Sequence, residues 1–329
     1  MYKVLIIGCG RIAGHFSDSE IDRSEVRHAW AFKSHEGFEV SGCVDADRLR
    51  AENFAGRVGI PYWGDDVGNA MVELHPDVVV IATPDETHFE VVCQVFRQQS
   101  FCPRIVFLEK PACTDRSELD QLLDISHEQA VPIVVNQSRR FHLFYQKLRA
   151  EIREGGFGTL TQVDSVYYGG WRHNAVHLVD IIRYISGLEF GKLDVLETIS
   201  DGRVRDPTLT VRGALDSRVK IPVWFHGWDE RIYQIFDLEF RFSKGRLRIG
   251  NFEREIAWEE AQVNSVGEKV LKQCSLKSWE KKPEPLPNAV AGMYRYLQNG
   301  ETDGLCQCLL SDIAESMRTT WKVGEASNL

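Results

Sequence analysis

Short apolar segments separated by polar, helix-like stretches fill the first 140 residues of the chain. The stretches between these segments, such as 85–99 and 115–129, have the spacing of amphipathic helices. The apolar segments are rich in Val and Ile on both faces, as buried parallel strands are, and they span 3–8, 38–45, 77–83, 104–110 and 132–138. Repeated β-α-β units of this kind predict an α/β domain with a doubly wound parallel sheet over residues 1–140.

The pattern changes after residue 140. Strand-like alternation dominates from 193 to about 260, and it reverses at Ser243-Lys244-Gly245 in the manner of a β-hairpin. Helix-like segments span about 142–154, 174–186, 287–299 and 305–322, and a further strand spans 159–168. We therefore expect residues 141–329 to form an α+β domain with an open, mainly antiparallel sheet.

Composition and charge limit the classes of function. With 329 residues, 43% apolar and 26% charged, the chain has the composition of a soluble globular protein of two domains. The net charge of −9 and the lack of a basic run argue against binding to nucleic acid or to an anionic membrane surface. No apolar stretch approaches the roughly 18 residues of a membrane span, and the N-terminus does not resemble a signal peptide. We therefore expect a cytoplasmic protein.

The eight cysteines show no regular spacing. Cys306 and Cys308 would face different ways on a helix, and neither a histidine nor a second cysteine pair follows them. We expect buried, reduced thiols and no structural metal site.

The segment "GCGRIAG" (8–14) follows the first strand directly and opens a helical pattern. Gly8, Gly10 and Ala13 fit G-x-G-x-x-[GA], a turn in which glycines let a pyrophosphate approach a helix N-terminus. Arg11 and Ile12 lie within this turn, so we count them as cofactor-binding residues. The turn predicts a dinucleotide cofactor.

An acid at the end of the second strand indicates which dinucleotide is bound. The Asp45 carboxylate would accept hydrogen bonds from the ribose hydroxyls and repel a 2′-phosphate, so NAD is favoured over NADP. Arg48 and Arg50 nearby keep NADP as the alternative. Asp45 lies 32 residues after Ala13, whereas about 20 is usual. The excess is the polar stretch 15–27, which is either a surface insertion or a lid over the pyrophosphate or the substrate.

Three further strand ends carry polar or turn-forming residues. They are Thr83-Pro84, Glu109-Lys110-Pro111 and the segment 137–140. Ligands of doubly wound sheets bind outside the carboxyl ends of the strands, so these tips should converge on the nicotinamide half of the cofactor.

These motifs together resemble the glucose–fructose oxidoreductase / inositol dehydrogenase / MocA family of NAD(P)-dependent sugar and polyol oxidoreductases. The resemblance covers nearly the whole chain and rests on an ordered set of segments, "GCGRIAG", "CVDAD", "IATPDETHFEVV", "EKPACT", "VVNQSRRF", "HLVDIIRYISG", "FSKGRLRI" and "IAESMRTTWKVGE". It implies a Rossmann domain that binds the dinucleotide and a second domain that binds substrate and forms a homodimer or homotetramer.

The resemblance also implies roles for residues at the strand tips. Lys110 would lie beside the nicotinamide and the reacting hydroxyl, and Glu109 would orient it or contact the cofactor. Thr83, Pro84 and His88 would also contact the cofactor. Pro111 fixes the turn, and its peptide bond could be cis, which is unusual on base rates alone.

Two histidines carry the rest of the predicted chemistry. His177 takes the family's acid/base role, whereas His173 stands where the family has an aspartate, and both project from one helix face. Asp180 could hydrogen-bond His177, although a structural role is expected for it. The alternatives are that these histidines belong to the core, or that the pair binds a metal, for which no third ligand is evident.

The substrate candidates are Arg139, Arg140, Tyr168, Arg172 and Asn174. The arginines point to an anionic substrate such as a sugar phosphate or nucleotide sugar, unless they are surface arginines paired with acids.

The function expected from the resemblance is hydride transfer between a sugar or polyol hydroxyl and nicotinamide. The alternatives are a redox-neutral glycosidase that uses NAD transiently, and a non-catalytic NAD(P)-sensing regulatory protein of the same fold. The presence of Lys110 and His177 argues for catalysis, and the missing aspartate argues mildly for the regulatory protein.

Overall fold

The computed structural model describes residues 1–14, 27–97, 101–203, 205–274 and 285–326. The chain forms two compact units. The first consists of Met1–Leu143 and Pro283–Ala314, and the second of Phe144–Lys282 and Glu315–Leu329. The predicted boundary at 140/141 lies close to the first of these divisions.

The first unit is built on a parallel sheet of six strands. They are β1 (Tyr2–Ile7), β2 (Phe38–Val44), β3 (Tyr62–Gly64), β4 (Val78–Ile81), β5 (Ile105–Leu108) and β6 (Ile133–Val135). Their order in the sheet is β3-β2-β1-β4-β5-β6, so the strand order reverses between β1 and β4. This is a doubly wound sheet with its topological switch point beside β1, and it confirms the predicted fold class of the first domain.

Helices connect these strands, and they span His28–Lys33 (α1), Arg48–Val58 (α2), Val67–Leu74 (α3), His88–Phe96 (α4), Arg116–Glu128 (α5) and Ser138–Phe141 (α6). Three of them begin at an aspartate, and the Asp66 side chain at α3 accepts a hydrogen bond from the Asn69 amide. Asp47 accepts hydrogen bonds from the Leu49 and Arg50 amides, and Asp115 accepts one from the Glu118 amide. All four residues of β4 and all four of β5 are fully buried, which explains why these strands are apolar on both faces.

The second unit is built on an eight-stranded sheet. Its elements are α7 (Leu143–Arg153), β7 (Leu160–Tyr168), a π-helical turn (Trp171–Ala175), α8 (Val176–Ser186), β8 (Phe190–Ile199), β9 (Thr208–Leu215), β10 (Ile221–Trp228), β11 (Asp237–Phe242), β12 (Gly245–Gly250), β13 (Glu255–Val263) and β14 (Lys269–Cys274). The order is β14-β13-β12-β11-β7-β10-β9-β8. Among these strands only β7 and β10 pair in parallel, which confirms the mainly antiparallel prediction.

The predicted hairpin is formed by β11 and β12. Phe242 pairs with Gly245, so Ser243 and Lys244 make the turn. The apolar residues of α8 and of the inner sheet face form one core, in which Trp171 donates its indole N–H to the Thr320 carbonyl at 3.0 Å.

The last part of the chain departs from the predicted domain division. Helix α9 spans Pro285–Asn299 and α10 spans Leu310–Ala326. The stretch Pro283–Ala314, which the sequence analysis assigns to the second domain, lies in the first unit. The physical reason is that α9 buries its apolar face in the core of the first unit, where Leu286, Val290 and Met293 are at most 5% exposed.

All eight cysteines are free thiols. Four are buried, as expected, but Cys93, Cys102, Cys274 and Cys306 are partly exposed. Within the described ranges, no helix has the length and apolar character needed to cross a membrane.

Candidate active site at two strand and helix ends

The glycine turn after β1 has the geometry of a pyrophosphate site. A Cβ built on Gly8, whose φ is +94°, would lie 2.6 Å from the Ala82 carbonyl and 2.8 Å from the Thr83 nitrogen. Only glycine fits there, because this backbone packs directly on the end of β4. A Cβ built on Gly10 would meet nothing within 4 Å. Open space therefore lies against Gly10, at the position where a pyrophosphate approaches such a turn.

Backbone hydrogen bonds connect this turn to the start of α1. The Gly14 amide donates to the carbonyls of Gly10 and Arg11, and the His28 amide then donates to the Ile12 carbonyl at 3.2 Å. Removing residues 15–26 shortens the distance from Ala13 to Asp45 from 32 to 20 residues, which is the usual spacing. The insertion thus interrupts the first helix without moving the acid. The lid predicted for 15–27 lies outside the described residues, apart from Arg27.

Asp45 ends β2 beside the glycine turn. Its side chain accepts hydrogen bonds from the Cys9 amide at 2.8 Å and from the Asp47 amide at 2.9 Å, and it is 8% exposed. Arg50 lies 3.4 Å from Asp45 and 3.5 Å from Asp47, and Arg48 lies 3.4 Å from Asp65, so both arginines that kept NADP as an alternative are paired with acids. The turn, its open space and this acid fit a dinucleotide.

Thr83 and His88 stand at the end of β4. The two ring nitrogens of His88 lie 2.6 Å from the Pro111 carbonyl oxygen and 2.9 Å from the Thr83 carbonyl oxygen, and the side chain is fully buried. His88 therefore joins the chain after β4 to the chain after β5 rather than reaching outward to a cofactor. Pro84 precedes the helical turn that leads to α4 and is exposed.

Glu109 follows β5, and its carboxylate is turned inward. Its Oε1 lies 2.7 Å from His28 Nε2 and accepts a hydrogen bond from the Asn136 amide group at 2.7 Å. Burial alone would raise the pKa of Glu109. The hydrogen bond and charge of His28, the hydrogen bond from Asn136 and the charge of Lys110 outweigh it, so the pKa is lowered. Glu109 is therefore ionised, and these contacts hold its largely buried carboxylate in place.

Lys110 comes next, at the tip itself. Its side chain is partly exposed, and its backbone amide lies 3.3 Å from Glu109 Oε2. The peptide bond between Lys110 and Pro111 is cis. The tip lies on the carboxyl edge of the sheet, on the β4–β6 side of the glycine turn. This is the side on which the nicotinamide half of a dinucleotide lies when its adenosine half is held at the end of β2.

The two candidate arginines of the first unit differ. Arg139 is partly exposed in α6, whereas Arg140 is only 3% exposed and donates from its guanidinium to the Gln307 carbonyl. Arg140 therefore fastens the chain before α10 to α6, and the substrate-binding role predicted for it does not fit this geometry.

In the second unit, the helix that carries the histidines begins with two glycines and is held by an acid from another loop. Asp206 accepts hydrogen bonds from the Arg172 amide at 2.7 Å and from the His173 amide at 2.9 Å. A Cβ built on Gly170 would lie 2.2 Å from the Asp206 carboxylate, so this carboxylate requires glycine. A carboxylate therefore does lie beside position 173, but it binds the backbone there.

The remaining candidates of the second unit lie along the same helix and the strand before it. Arg172 and His173 are exposed, whereas His177 is partly buried. Asn174 donates from its side chain to the Tyr168 carbonyl at 2.8 Å, so it holds the end of β7. Asp180 is 2% exposed and accepts a hydrogen bond from Ser316 at 2.8 Å, in keeping with the structural role expected for it.

The structure thus brings the predicted residues together in two groups, one in each unit. Lys110 belongs to the first group, and His173 and His177 belong to the second. Sequence reasoning missed His28, Asn136 and Asp206. His28 and Asn136 had a weak signal, because each is a polar residue at the start of a helix or the end of a strand that faces the cofactor edge. Asp206 had none, because it lies 33 residues from the histidine whose amide it binds.

Metal binding has no support in the described part of the chain, where no three His, Cys, Asp or Glu side chains are grouped so that they could hold an ion.

The comparisons with known proteins bear on the family and the cofactor of the first unit. Residues 2–137 match the model of the GFO_IDH_MocA family, which is described as an oxidoreductase family with an NAD-binding Rossmann fold. This match confirms NAD as the cofactor of the first unit. An inositol 2-dehydrogenase of Rhizobium meliloti is 26% identical over 176 residues, which are 49% of this chain and 52% of the relative. The chain spans about half the length, or less, of the first curated relatives that it matches.

Solved structures share the fold over nearly the whole chain. An oxidoreductase from Agrobacterium radiobacter, in complex with NAD+, L-tartaric acid and magnesium, is 15% identical with a TM-score of 0.69, covering 98% of this chain and 96% of that one. A super-repressor mutant of Gal80p from Saccharomyces cerevisiae is 12% identical with a TM-score of 0.78, covering 98% and 95%. At these identities the likeness shows the fold of both units alone.

Proposed function

We propose that the chain, whose residues 2–137 match the model of the Gfo/Idh/MocA oxidoreductase family, is an NAD(P)-dependent dehydrogenase of that family acting on a CH–OH group of a sugar or polyol. The observation that carries this proposal is the tip after β5. There a partly exposed lysine, Lys110, follows a buried and ionised Glu109 on the same sheet edge as the open space at Gly10. A binding protein needs the glycine turn, but it does not need a cation at the nicotinamide end.

The first unit would hold the cofactor, with its pyrophosphate on the Gly10 turn and its adenosine ribose at Asp45. When bound, the nicotinamide supplies the acceptor for a hydride from the carbinol carbon. Lys110 would stabilise the negative charge that develops on the substrate oxygen, as a cation in an oxyanion site does. NAD is favoured over NADP because the Asp45 side chain would accept hydrogen bonds from the ribose hydroxyls and repel a 2′-phosphate.

His177 would accept the hydroxyl proton. It is partly buried on the helix that Asp206 holds by its first turn, so its placement depends on that helix start. His173 is exposed one turn earlier on the same helix and is the second candidate for the proton. The orienting aspartate that the family resemblance places at position 173 is replaced here, so the helix anchor at Asp206 would do the positioning.

An anionic group on the substrate is supported by two arginines. Arg139 in the first unit and Arg172 in the second are both accessible, and an arginine fork suits a phosphate or carboxylate. A sugar phosphate, a nucleotide sugar or an acid sugar is therefore the substrate class that we propose. Tyr168, at the end of β7, is partly exposed and remains a candidate for stacking on the sugar.

A homodimer or homotetramer would form through the outward face of the second unit's sheet. This face carries Trp224 stacked on His226, with parallel rings 5.8 Å apart, and the ion pair of Arg241 with Asp164 at 2.8 Å. An exposed sheet face that mixes aromatic residues with charges of both signs suits self-association. Light scattering coupled to size-exclusion chromatography measures the mass of the assembly in solution and so tests this proposal.

The predicted cytoplasmic location stays a prediction.

The test of the proposed function is a panel of polyols, sugars, sugar phosphates and nucleotide sugars, each incubated with NAD or NADP and scored by absorbance of the reduced cofactor. We expect at least one anionic sugar to give NADH at a rate that Lys110→Met abolishes. Release of free sugar with no net NADH would instead identify the redox-neutral glycosidase. Because His173 stands where the family has an aspartate, the second candidate is a non-catalytic regulatory protein. Such a protein would bind NAD but would turn over no member of the panel.

A further inference from the structure

Both chain neighbours of Lys110 are held by buried histidines. On one side, Glu109 Oε1 lies 2.7 Å from Nε2 of His28. On the other side, the Pro111 carbonyl oxygen lies 2.6 Å from Nδ1 of His88. His28 is 1% exposed and His88 is fully buried. The tip therefore combines a fixed backbone with a side chain that is partly accessible.

The contact between His28 and Glu109 has a defined chemistry. An ionised carboxylate only accepts hydrogen bonds, so Nε2 of His28 must be the donor, and the same reasoning fixes the amide of Asn136 with its nitrogen on Glu109. The His28 ring also packs edge-on against Phe107 of β5, with ring centroids 5.4 Å apart. Removing one partner of a buried ion leaves its charge uncompensated, so these contacts hold Glu109 in place strongly.

His28 also belongs to the pyrophosphate turn. Its backbone amide donates to the Ile12 carbonyl at 3.2 Å, and the next amide, of Ala29, donates to the Ala13 carbonyl at 3.1 Å. His28 thus bonds through its backbone to the turn that follows Gly10 and, through its side chain, to the residue before Lys110. The two ends of the cofactor site are joined through His28.

We propose that His28 is a positioning residue, which acts through Glu109 to hold the Lys110 backbone in a fixed place relative to the pyrophosphate turn. Asn136 supports the same carboxylate from β6. What Lys110 does to a reacting hydroxyl rests on the proposed function, but the placement of Lys110 by His28 does not. Positional errors of about 1 Å can cost about 100-fold in rate, so such a link has a measurable effect on catalysis.

The test compares two amide substitutions that differ in reach. His28→Gln places an amide nitrogen about where Nε2 lies and keeps the donor to Glu109. His28→Asn is one methylene shorter and cannot reach it. Both full-length variants and the wild type are labelled with a trace of acetic anhydride at neutral pH, with and without saturating NAD, and the labelling of Lys110 is measured by peptide mass spectrometry. Lys3, an exposed lysine of the same unit, is the internal reference.

We expect the labelling rate of Lys110, relative to Lys3, to change by about threefold or more in His28→Asn and to stay within about twofold of wild type in His28→Gln. Protection by NAD should be lost only in the shorter variant. Equal Lys110 labelling in all three proteins would overturn the proposal, and so would an equal change in both variants, because that indicates loss of the ring rather than of the donor.

Two further readouts keep the outcomes separate. If His28→Asn does not fold, Asn136→Ser is tested in its place, because this change removes the other amide donor to Glu109. Unchanged labelling of Lys110 in Asn136→Ser would also overturn the proposal. If NAD fails to protect Lys110 even in wild type, the proposed function is contradicted. The role of His28 is then decided by the labelling without NAD, which needs neither substrate nor turnover.

Discussion

Gly8 and Gly10 occupy the same turn, but their surroundings differ. Replacing each with alanine should therefore have different effects, on NADH affinity at Gly10 and on folding stability at Gly8. At Gly10 an added Cβ meets nothing within 4 Å, so Gly10→Ala should fold normally. Restricting the unfolded chain by such a change can add about 0.4–1 kcal/mol of stability. The new methyl group would occupy the space beside the turn that a pyrophosphate needs. We therefore expect NADH affinity to fall by at least about 10-fold, or about 1.4 kcal/mol.

At Gly8, by contrast, an added methyl group should destabilise the fold. Its φ of +94° is strained for any other residue, which costs about 1–2 kcal/mol. The added Cβ would also lie 2.6 Å from the Ala82 carbonyl, and such overpacking typically costs about 1–3 kcal/mol. Since the obstacle is backbone on the end of β4, it cannot rotate away. We expect Gly8→Ala to lose about 2–5 kcal/mol of unfolding free energy in the first unit.

The assay pairs urea unfolding, followed by circular dichroism, with titration of NADH fluorescence. Gly56→Ala is the matched control, because Gly56 is exposed in α2 and an added Cβ there also meets nothing within 4 Å. It should stabilise α2 by about 0.5–1 kcal/mol and leave NADH affinity unchanged. Wild-type NADH affinity in a folded Gly10→Ala protein would refute the assignment of the pyrophosphate site.

Three other predictions address the two groups of site residues. Lys110→Met should keep NADH affinity within about twofold, by fluorescence titration, while turnover on the substrate found by the panel is lost; normal turnover would remove Lys110 from the mechanism. Asp206→Ala takes away the acceptor for the Arg172 and His173 amides. It should cost about 0.5–2 kcal/mol in urea unfolding and lower kcat while NADH affinity is kept, and an unchanged kcat would leave Asp206 a purely structural role. Glu109 has a lowered pKa in the folded protein, so its contribution to stability is present above the unfolded value of about 4.3 and is lost as pH falls through the folded value. The stability difference between wild type and Glu109→Gln should therefore be largest near neutral pH and shrink below about pH 4, and a pH-independent difference would show that the carboxylate is not ionised.

The parts of the fold that the sequence predicted are those that local pattern determines. The strands of the first unit are apolar on both faces because helices cover both faces, and the hairpin turn at Ser243-Lys244 follows from strict alternation on either side. Gly8 and Gly10 were recognisable because backbone strain and close approach require glycine at fixed spacing after a strand.

The parts that could not be predicted depend on contacts between distant segments. The amphipathic pattern of α9 predicts a buried face, but it does not say which core receives that face, and the answer was the first unit. Arg140 has the same sequence character as Arg139, yet the carbonyl of Gln307, far along the chain, makes it structural.

The residues of the candidate site also fall into those that could be predicted from the sequence and those that could not. The Glu109-Lys110-Pro111 tip was predictable because strand ends of a parallel sheet share one edge. The role of His28 could not be predicted, because 13 residues separate it in the sequence from the turn to which its backbone amide bonds. Asp206 could be found only in three dimensions, since no spacing rule connects it with the helix that it starts.

The central claim is that the protein moves a hydride from a substrate carbon to NAD. The most direct test uses the substrate found by the panel, prepared with deuterium on the carbinol carbon, and mass spectrometry of the cofactor after the reaction. The account predicts that the reduced cofactor carries one deuterium and accumulates in equal amount to the oxidised product. Product release in which the cofactor gains no deuterium, or ends the reaction unreduced, would contradict it.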